Sequence, residues 1–74
     1  MTQFAALNGR QLVAILRTFG FETVRVRGSH YVLRHADGRS TVVPVHSNED
    51  IGPGLLSKIL RDTKLTREEI QPQR

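Results

Sequence analysis

The hydrophobic period changes twice along these 74 residues, and this pattern constrains the fold more than any other feature of the sequence. Apolar residues recur at helical spacing near the start, alternate with polar residues in the middle, and return to helical spacing near the end. A period of about 3.6 residues indicates a helix, and a period of two indicates a strand. The chain therefore predicts helices on both sides of a run of strands.

The first helix is predicted from Asn8 to Phe19. Its apolar stripe recurs at helical spacing through Leu12, Ile15, Leu16 and Phe19. Asn8 and Gln11 have the spacing of a capping box, in which each side chain bonds the backbone N–H of the other residue. Gly20 is the expected stop of this helix.

Three strands are predicted after Gly20. In the first, which starts at Phe21, Val24 and Val26 alternate with Arg25 and Arg27, so we expect buried valines and a cationic face opposite them. Gly28-Ser29 turns the chain without an obvious two-residue hairpin signal. The second strand follows from His30 to His35, with Tyr31 and Leu33 on the face opposite His30.

The third strand is predicted from Ser40 to Val45, after a hairpin signal at Asp37-Gly38. Pro44 near its end is tolerable only at a sheet edge or a strand terminus. His46 to Ile51 is a polar loop. These features predict an antiparallel sheet of three strands.

Gly52-Pro53 opens the second helix, since proline suits the first helical position. Its predicted buried stripe is Leu55, Leu56, Ile59 and Leu60, and Lys58 and Arg61 face outward. Thr66 and Glu69 form a second capping-box spacing, which predicts a last helical turn over Arg67 to Ile70.

These elements predict one α+β domain over residues 1–74, with tails at 1–7 and 71–74. The economical arrangement is a two-layer sandwich, with both helices on one side of the three-stranded sheet. This α-β-β-β-α order is that of the double-stranded RNA-binding fold. A fold alone does not assign function, so the site residues must do so.

Composition narrows the function classes. Eleven Lys and Arg against seven Asp and Glu give a formal charge of +4, which favours a polyanionic partner such as nucleic acid, or an acidic protein. Without cysteine, no disulfide or thiolate zinc site is available. No signal-peptide pattern or membrane-length apolar run is evident, so we expect a soluble, cytoplasmic protein.

His30 is the first candidate catalytic residue, because histidine both takes and gives a proton near neutral pH. Beside a cationic surface it can deprotonate an RNA 2′-hydroxyl, a reaction that needs no metal. The plainer interpretation is a solvated surface histidine. Gly28 and Ser29, which precede it, either allow close approach of a phosphate or only shape the turn.

Four cations are candidate RNA-binding residues, and each has the alternative of an ordinary solvated surface: Arg25, Arg27, Lys58 and Arg61. In the double-stranded RNA-binding arrangement the start of the second helix faces phosphates across a groove. The three histidines lack clustered carboxylates and helical i, i+4 spacing, so we predict no metal site. No P-loop or dinucleotide fingerprint is present, and no cofactor is predicted.

An ordered set of segments resembles the HicA toxin family. The segments are Gly20-Phe21, Arg27 to Tyr31, Val43 to His46, Gly52 to Leu60 and Leu65 to Glu69. The resemblance runs from about Asn8 to Ile70, and the set is specific where Gly-Ser-His alone would be weak.

This resemblance implies a double-stranded RNA-binding-like fold and the activity of an mRNA interferase, a toxin neutralised by a HicB antitoxin. It implies that His30, in the Gly-Ser-His position, is the catalytic histidine. The group that protonates the leaving 5′-oxygen stays open, with His46 and water as candidates. The alternative function is a non-catalytic RNA-binding module; a third is a basic surface that serves mainly to bind an acidic antitoxin.

Overall fold

A computed structural model describes residues 6–47 and 49–70 of the chain. The elements in order are α1 (Gly9–Thr18), β1 (Phe21–Arg27), β2 (His30–His35), β3 (Ser40–Pro44), α2 (Pro53–Thr63) and α3 (Arg67–Ile70). The predicted tails at 1–5 and 71–74 lie outside the described residues. Leu7 packs against the core, and its carbonyl accepts a 2.7 Å hydrogen bond from the Ile51 N–H.

The predicted capping box at the start of α1 is confirmed. The Gln11 N–H donates to Asn8 Oδ1 at 2.8 Å, and the Asn8 N–H donates to Gln11 Oε1 at 3.0 Å. Two N–H groups that the helix itself leaves unpaired are thereby satisfied. At the other end of α1, Gly20 follows the C-cap with φ +96°, a backbone conformation that residues other than glycine rarely adopt.

The sheet is antiparallel with strand order β1-β2-β3, so β1 and β3 are its edges. The predicted Asp37-Gly38 turn is confirmed, with the Gly38 N–H donating to the His35 carbonyl at 2.9 Å and φ +102° at Gly38. β3 ends at Pro44, one residue before the predicted end. This proline therefore lies at the terminus of an edge strand, as predicted, where its missing N–H interrupts no ladder.

The prediction that Val24 and Val26 are buried is wrong, because they are 53% and 50% exposed. The register of β1 against β2 shifts between Thr23 and Arg25, so Val24 is the extra residue of a bulge and the simple alternation ends there. Val26 pairs with Tyr31 and so lies on the helix-facing side of the sheet, but on an edge strand that the helices leave half uncovered.

The core lies between one face of the sheet and the helices. Leu33 and Val43 are fully buried. Leu33 pairs with Thr41, two residues before Val43, so Leu33 and Val43 point to the same face of the sheet. α1 packs on β1 and β3, and α2 packs on β3. This confirms the predicted two-layer α+β arrangement. The other core residues, from α1, β1, α2 and α3, are Leu12, Val13, Leu16, Phe21, Leu56, Ile59 and Ile70.

The short helix α3 closes the chain against α1. Its predicted capping box is confirmed, with the Thr66 N–H donating to Glu69 Oε1 at 2.7 Å and the Glu69 N–H donating to Thr66 Oγ1 at 3.2 Å. Ile70 is fully buried, which fixes the turn in place. Within the described part of the chain, no helix has the length and apolar character needed to cross a membrane.

Candidate active site

His30 lies at one end of the sheet, on the face away from the helices. It is the first residue of β2 and pairs with Arg27 of β1 on one side and Pro44 of β3 on the other. Its side chain is exposed, and Tyr31, the next residue, pairs with buried Val43 on the opposite face. The predicted side for His30 is therefore the observed one, and the imidazole is open to a ligand.

The turn before His30 is a two-residue hairpin loop, which the sequence interpretation did not anticipate. Arg27 and His30 are ladder partners, so only Gly28 and Ser29 connect the strands. Gly28 has φ +58°, and a Cβ there would have nothing within 4 Å. The glycine is thus required by the backbone conformation and not by packing within the protein. The open space beside it is on the same tip as His30.

Ser29 connects this turn to the segment that follows β3. The Val45 N–H donates to the Ser29 carbonyl at 2.6 Å. The Ser29 hydroxyl lies 3.5 Å from His46 Nε2, at the limit of a hydrogen bond. The turn and the loop after β3 therefore form one local unit, although Ser29 and His46 are 17 residues apart.

His46 stands beside His30 in this unit. The two ring centroids are 6.4 Å apart, and the ring planes are nearly perpendicular, at 82°. Both imidazoles are exposed. The sequence offered His46 only as one of two candidates for a proton donor, and the structure brings it next to His30. Two neighbouring imidazoles can supply a base and an acid to the same bound group.

Gly9 is a positioning residue that sequence reasoning missed. A Cβ there would lie 2.9 Å from the Cα of Val45 and 3.0 Å from the carbonyl carbon of Pro44. The first turn of α1 therefore packs directly on the backbone that precedes His46. The one signal available was a glycine at the first position of a helix, where other residues have better helix propensity.

Arg25 and Arg27 lie on the same face as His30. Arg27 is the ladder partner of His30, and Arg25 pairs with Val32, two residues along β2. Arg34, which was not predicted, shares this face at the far end of β2, where it pairs with Glu22 and Ser40. All three arginines are exposed. The surface beside His30 is therefore cationic.

Lys58 and Arg61 are exposed on α2, as predicted, and α2 packs on β3 from the face of the sheet opposite His30. Lys58 Nζ forms an ion pair with Asp62 at 2.9 Å, and Asp62 also accepts a 2.9 Å hydrogen bond from the buried Thr41 hydroxyl. Thr41 is three residues before Pro44 on β3, so it lies about 10 Å along the strand from the residue that pairs with His30. A role for these two cations in RNA binding stays a prediction.

The Asp62 contacts predict a pH-dependent contribution to stability. The hydrogen bond from Lys58, together with the one from Thr41, holds the pKa of this carboxyl below its ordinary value despite partial desolvation. A carboxyl whose pKa is lowered by folding stabilises the folded state above its unfolded pKa and loses that contribution as the pH falls through the folded pKa.

We therefore expect Asp62→Asn to be less stable than the wild type at pH 7, and the difference to shrink below about pH 4, the ordinary range of aspartate. Urea unfolding at pH 7 and pH 3 measures both differences. A difference of equal size at the two pH values would mean that the amide loses packing and not charge.

His35, the third histidine, lies at the other end of β2 and has a structural role. Its Nδ1 accepts a 3.1 Å hydrogen bond from the Asp37 N–H, and its ring contacts Phe21 edge-on at 5.1 Å. Among the described residues, no group of three or more His, Asp or Glu side chains is arranged to hold a metal ion.

Comparison with models of protein families gives a match. The family model of the HicA toxin of bacterial toxin–antitoxin systems matches residues 9–65. The matched region starts at Gly9, includes His30, His46 and the whole of α2, and stops before α3. None of the curated proteins is similar enough to the chain to match it.

Proposed function

The chain belongs to the HicA family of toxins of bacterial toxin–antitoxin systems, and from this premise we propose that it is a metal-independent endoribonuclease that cleaves mRNA. The observation that carries the proposal is the exposed imidazole of His30 on a cationic sheet face, beside a turn whose tip is open. An RNA backbone supplies both the phosphate that such a surface binds and the hydroxyl that such a base activates.

In the proposed reaction His30 is the general base. It takes the proton of a ribose 2′-hydroxyl while the 2′-oxygen forms a bond to the adjacent phosphorus. The bond from phosphorus to the 5′-oxygen breaks, and that oxygen leaves as a 5′-hydroxyl after gaining a proton. The products are a 2′,3′-cyclic phosphate and a 5′-hydroxyl end. Nucleophile and phosphorus both belong to the RNA, so no outside nucleophile is needed.

The arginines supply charge stabilisation in this reaction. A positioned proton-transfer group typically contributes about 10²–10⁴-fold, so the rest of the acceleration must come from stabilising the phosphorane-like charge. Arg27, the ladder partner of His30, is the nearest candidate, and Arg25 is next on the same face. Gly28 and Ser29 would let the phosphate approach the turn. Lys58 and Arg61 would bind phosphates further along the same RNA.

The proposed protein partner is a HicB-like antitoxin. Membership of a toxin–antitoxin family implies a neutralising partner. The arginine face around His30 predicts that this partner presents carboxylates and inhibits by covering His30, since complementary charge steers association and fixes orientation. Because the proposed substrate is mRNA, the proposed compartment is the cytoplasm.

The mechanism predicts cleavage that persists in excess EDTA and leaves a 2′,3′-cyclic phosphate or 3′-phosphate end, because the attacking oxygen is the RNA's own. The cleavage position is first mapped on an all-ribose oligonucleotide, with the ends identified by mass spectrometry. A matched oligonucleotide with one 2′-deoxy sugar at that position is expected to resist cleavage there and to bind with similar affinity.

Two results would contradict this mechanism in different ways. Metal-dependent cleavage with 3′-hydroxyl ends would mean that a metal-activated water, and not the 2′-hydroxyl, attacks phosphorus. Binding of RNA with no cleavage of any substrate would favour the non-catalytic RNA-binding module.

A further inference from the structure

The proposed cleavage leaves one proton without a donor. The attacking 2′-oxygen and the leaving 5′-oxygen lie roughly in line on opposite sides of phosphorus. His30 therefore cannot take a proton at one side and give one at the other side in the same step. The 5′-oxygen needs a second group, since an alkoxide is a poor leaving group in water.

We propose that His46 is this general acid, an inference that rests on the endoribonuclease function proposed above. The His46 ring centroid lies 6.4 Å from that of His30. An acid or base acts within hydrogen-bond reach, about 2.6–3.2 Å, of the atom it serves. Rings at this separation can each hydrogen-bond a different oxygen of one phosphodiester placed between them.

The other side chains near His30 are poorer proton donors. Guanidinium groups do not act as proton donors in proteins, so Arg27, the ladder partner of His30, can stabilise charge but cannot transfer a proton. Tyr31 lies on the opposite face of the sheet, with Val43. The Ser29 hydroxyl is close to His46 but does not give up its proton near neutral pH. Within the described residues, the imidazole beside His30 is that of His46, and histidine is the side chain used most often for general acid–base catalysis.

The backbone around His46 holds it in place. The Val45 N–H bonds the Ser29 carbonyl at 2.6 Å, so the residue before His46 is fixed to the β1–β2 turn. Gly9 packs against Pro44 and Val45 from the other side. Ser29 Oγ lies 3.5 Å from His46 Nε2, at the outer limit of a hydrogen bond that would orient the ring. Ser29 is therefore a positioning residue in this site.

The proton transfer balances without another reactant. In the imidazolium form, His46 donates Nε2–H to Ser29 Oγ and keeps Nδ1–H for the 5′-oxygen. As the bond from phosphorus to that oxygen breaks, the Nδ1 proton moves to it and His46 becomes neutral. His30 gains the 2′-hydroxyl proton in the same reaction. One proton enters the pair of histidines and one leaves it, and exchange with water restores both.

A substrate with sulfur in place of the bridging 5′-oxygen tests the role of His46 directly. A thiol has a pKa of about 8.5, far below that of an alcohol, so a thiolate leaves without being protonated. The experiment measures single-turnover cleavage of the oxygen and sulfur substrates by the wild type, His46→Ala and His30→Ala. His46 is exposed, so the variant is expected to fold, and thermal unfolding checks this.

We expect His46→Ala to cleave the oxygen substrate about 10²–10³-fold more slowly than the wild type, within the range of general acid catalysis. On the sulfur substrate its rate should come within about tenfold of the wild-type rate, because no acid is needed there. His30→Ala should be slow on both substrates, since each still needs the 2′-hydroxyl to be deprotonated. Ser47→Ala, an exposed neighbour, is the control and should match the wild type on both.

Three results would overturn the assignment. Equal slowing of His46→Ala on both substrates would give His46 a role in binding or structure. Rescue of His30→Ala, and not of His46→Ala, by sulfur would exchange the two roles. A wild type that cleaves neither substrate would refute the proposed function itself, and this outcome is distinguishable because it does not depend on any variant.

Discussion

Alanine in place of His30 is expected to slow RNA cleavage by about 10²–10⁴-fold, the contribution typical of a positioned proton-transfer group, and to leave the fold intact. The side chain is exposed at the end of a strand, so its removal opens no cavity in the core. Alanine keeps the backbone pairing with Arg27 and Pro44. Cleavage assays, growth arrest on expression, and RNA affinity for a 2′-deoxy substrate measure the effect.

His35 provides a control on the same strand. Its ring contacts buried Phe21 edge-on at 5.1 Å, and such contacts contribute about 0.5–1.5 kcal/mol beyond burial. We therefore expect His35→Ala to lower thermal stability while the cleavage rate per folded molecule stays close to that of the wild type. His30→Ala should instead lower the cleavage rate and leave thermal stability close to that of the wild type. Cleavage at the wild-type rate by folded His30→Ala would remove the proposed base.

Local features of the sequence predicted most of the fold. The capping boxes at Asn8 and at Thr66 involve residues three apart, so their chemistry is readable from the sequence alone. The alternation in β2 also held, because this central strand pairs on both sides. Alternation failed in β1, where the bulge at Val24 and the uncovered edge at Val26 depend on tertiary structure.

For the candidate site too, the sequence predicted the local features and not the contacts between distant residues. Position within its strand was enough to put His30 on the open face, and the arginines of β1 share that face because ladder partners do. The proximity of His46 to His30 was not predictable, since it results from the contact of Val45 with Ser29 across 16 residues of chain. The pairing of Lys58 with Asp62 and Thr41 likewise needs the packing of α2 on β3.

Gly9→Ala is expected to have the largest effect on stability of the substitutions considered, although alanine ordinarily favours helices. The helix preference of alanine over glycine is at most about 1 kcal/mol. The opposing effect is a steric clash, because the alanine Cβ would lie 2.9 Å from the Val45 Cα and 3.0 Å from the Pro44 carbonyl carbon. Both are backbone atoms that cannot rotate away. Overpacking of this kind typically costs about 1–3 kcal/mol, so the clash outweighs the preference.

Gly54→Ala is the matched comparison, because Gly54 lies in the first turn of α2 and a Cβ there would meet nothing within 4 Å. Glycine-to-alanine changes at such compatible sites stabilise by about 0.4–1 kcal/mol. The two substitutions are thus expected to shift the unfolding midpoint in opposite directions. In a domain of this size each kcal/mol corresponds to about 4–8 °C, which a thermal melt resolves.

The same substitution reaches the site, because Gly9 packs on the backbone that holds His46 beside His30. Relief of the clash must move either α1 or the Pro44-Val45 segment, and a shift of that segment separates the two imidazoles. Folded Gly9→Ala is therefore expected to cleave ordinary RNA more slowly than the wild type and to recover part of the loss on the substrate with a sulfur leaving group. If Gly9→Ala is as stable as Gly54→Ala, the segment yields without strain, and the contact does not hold His46 in place.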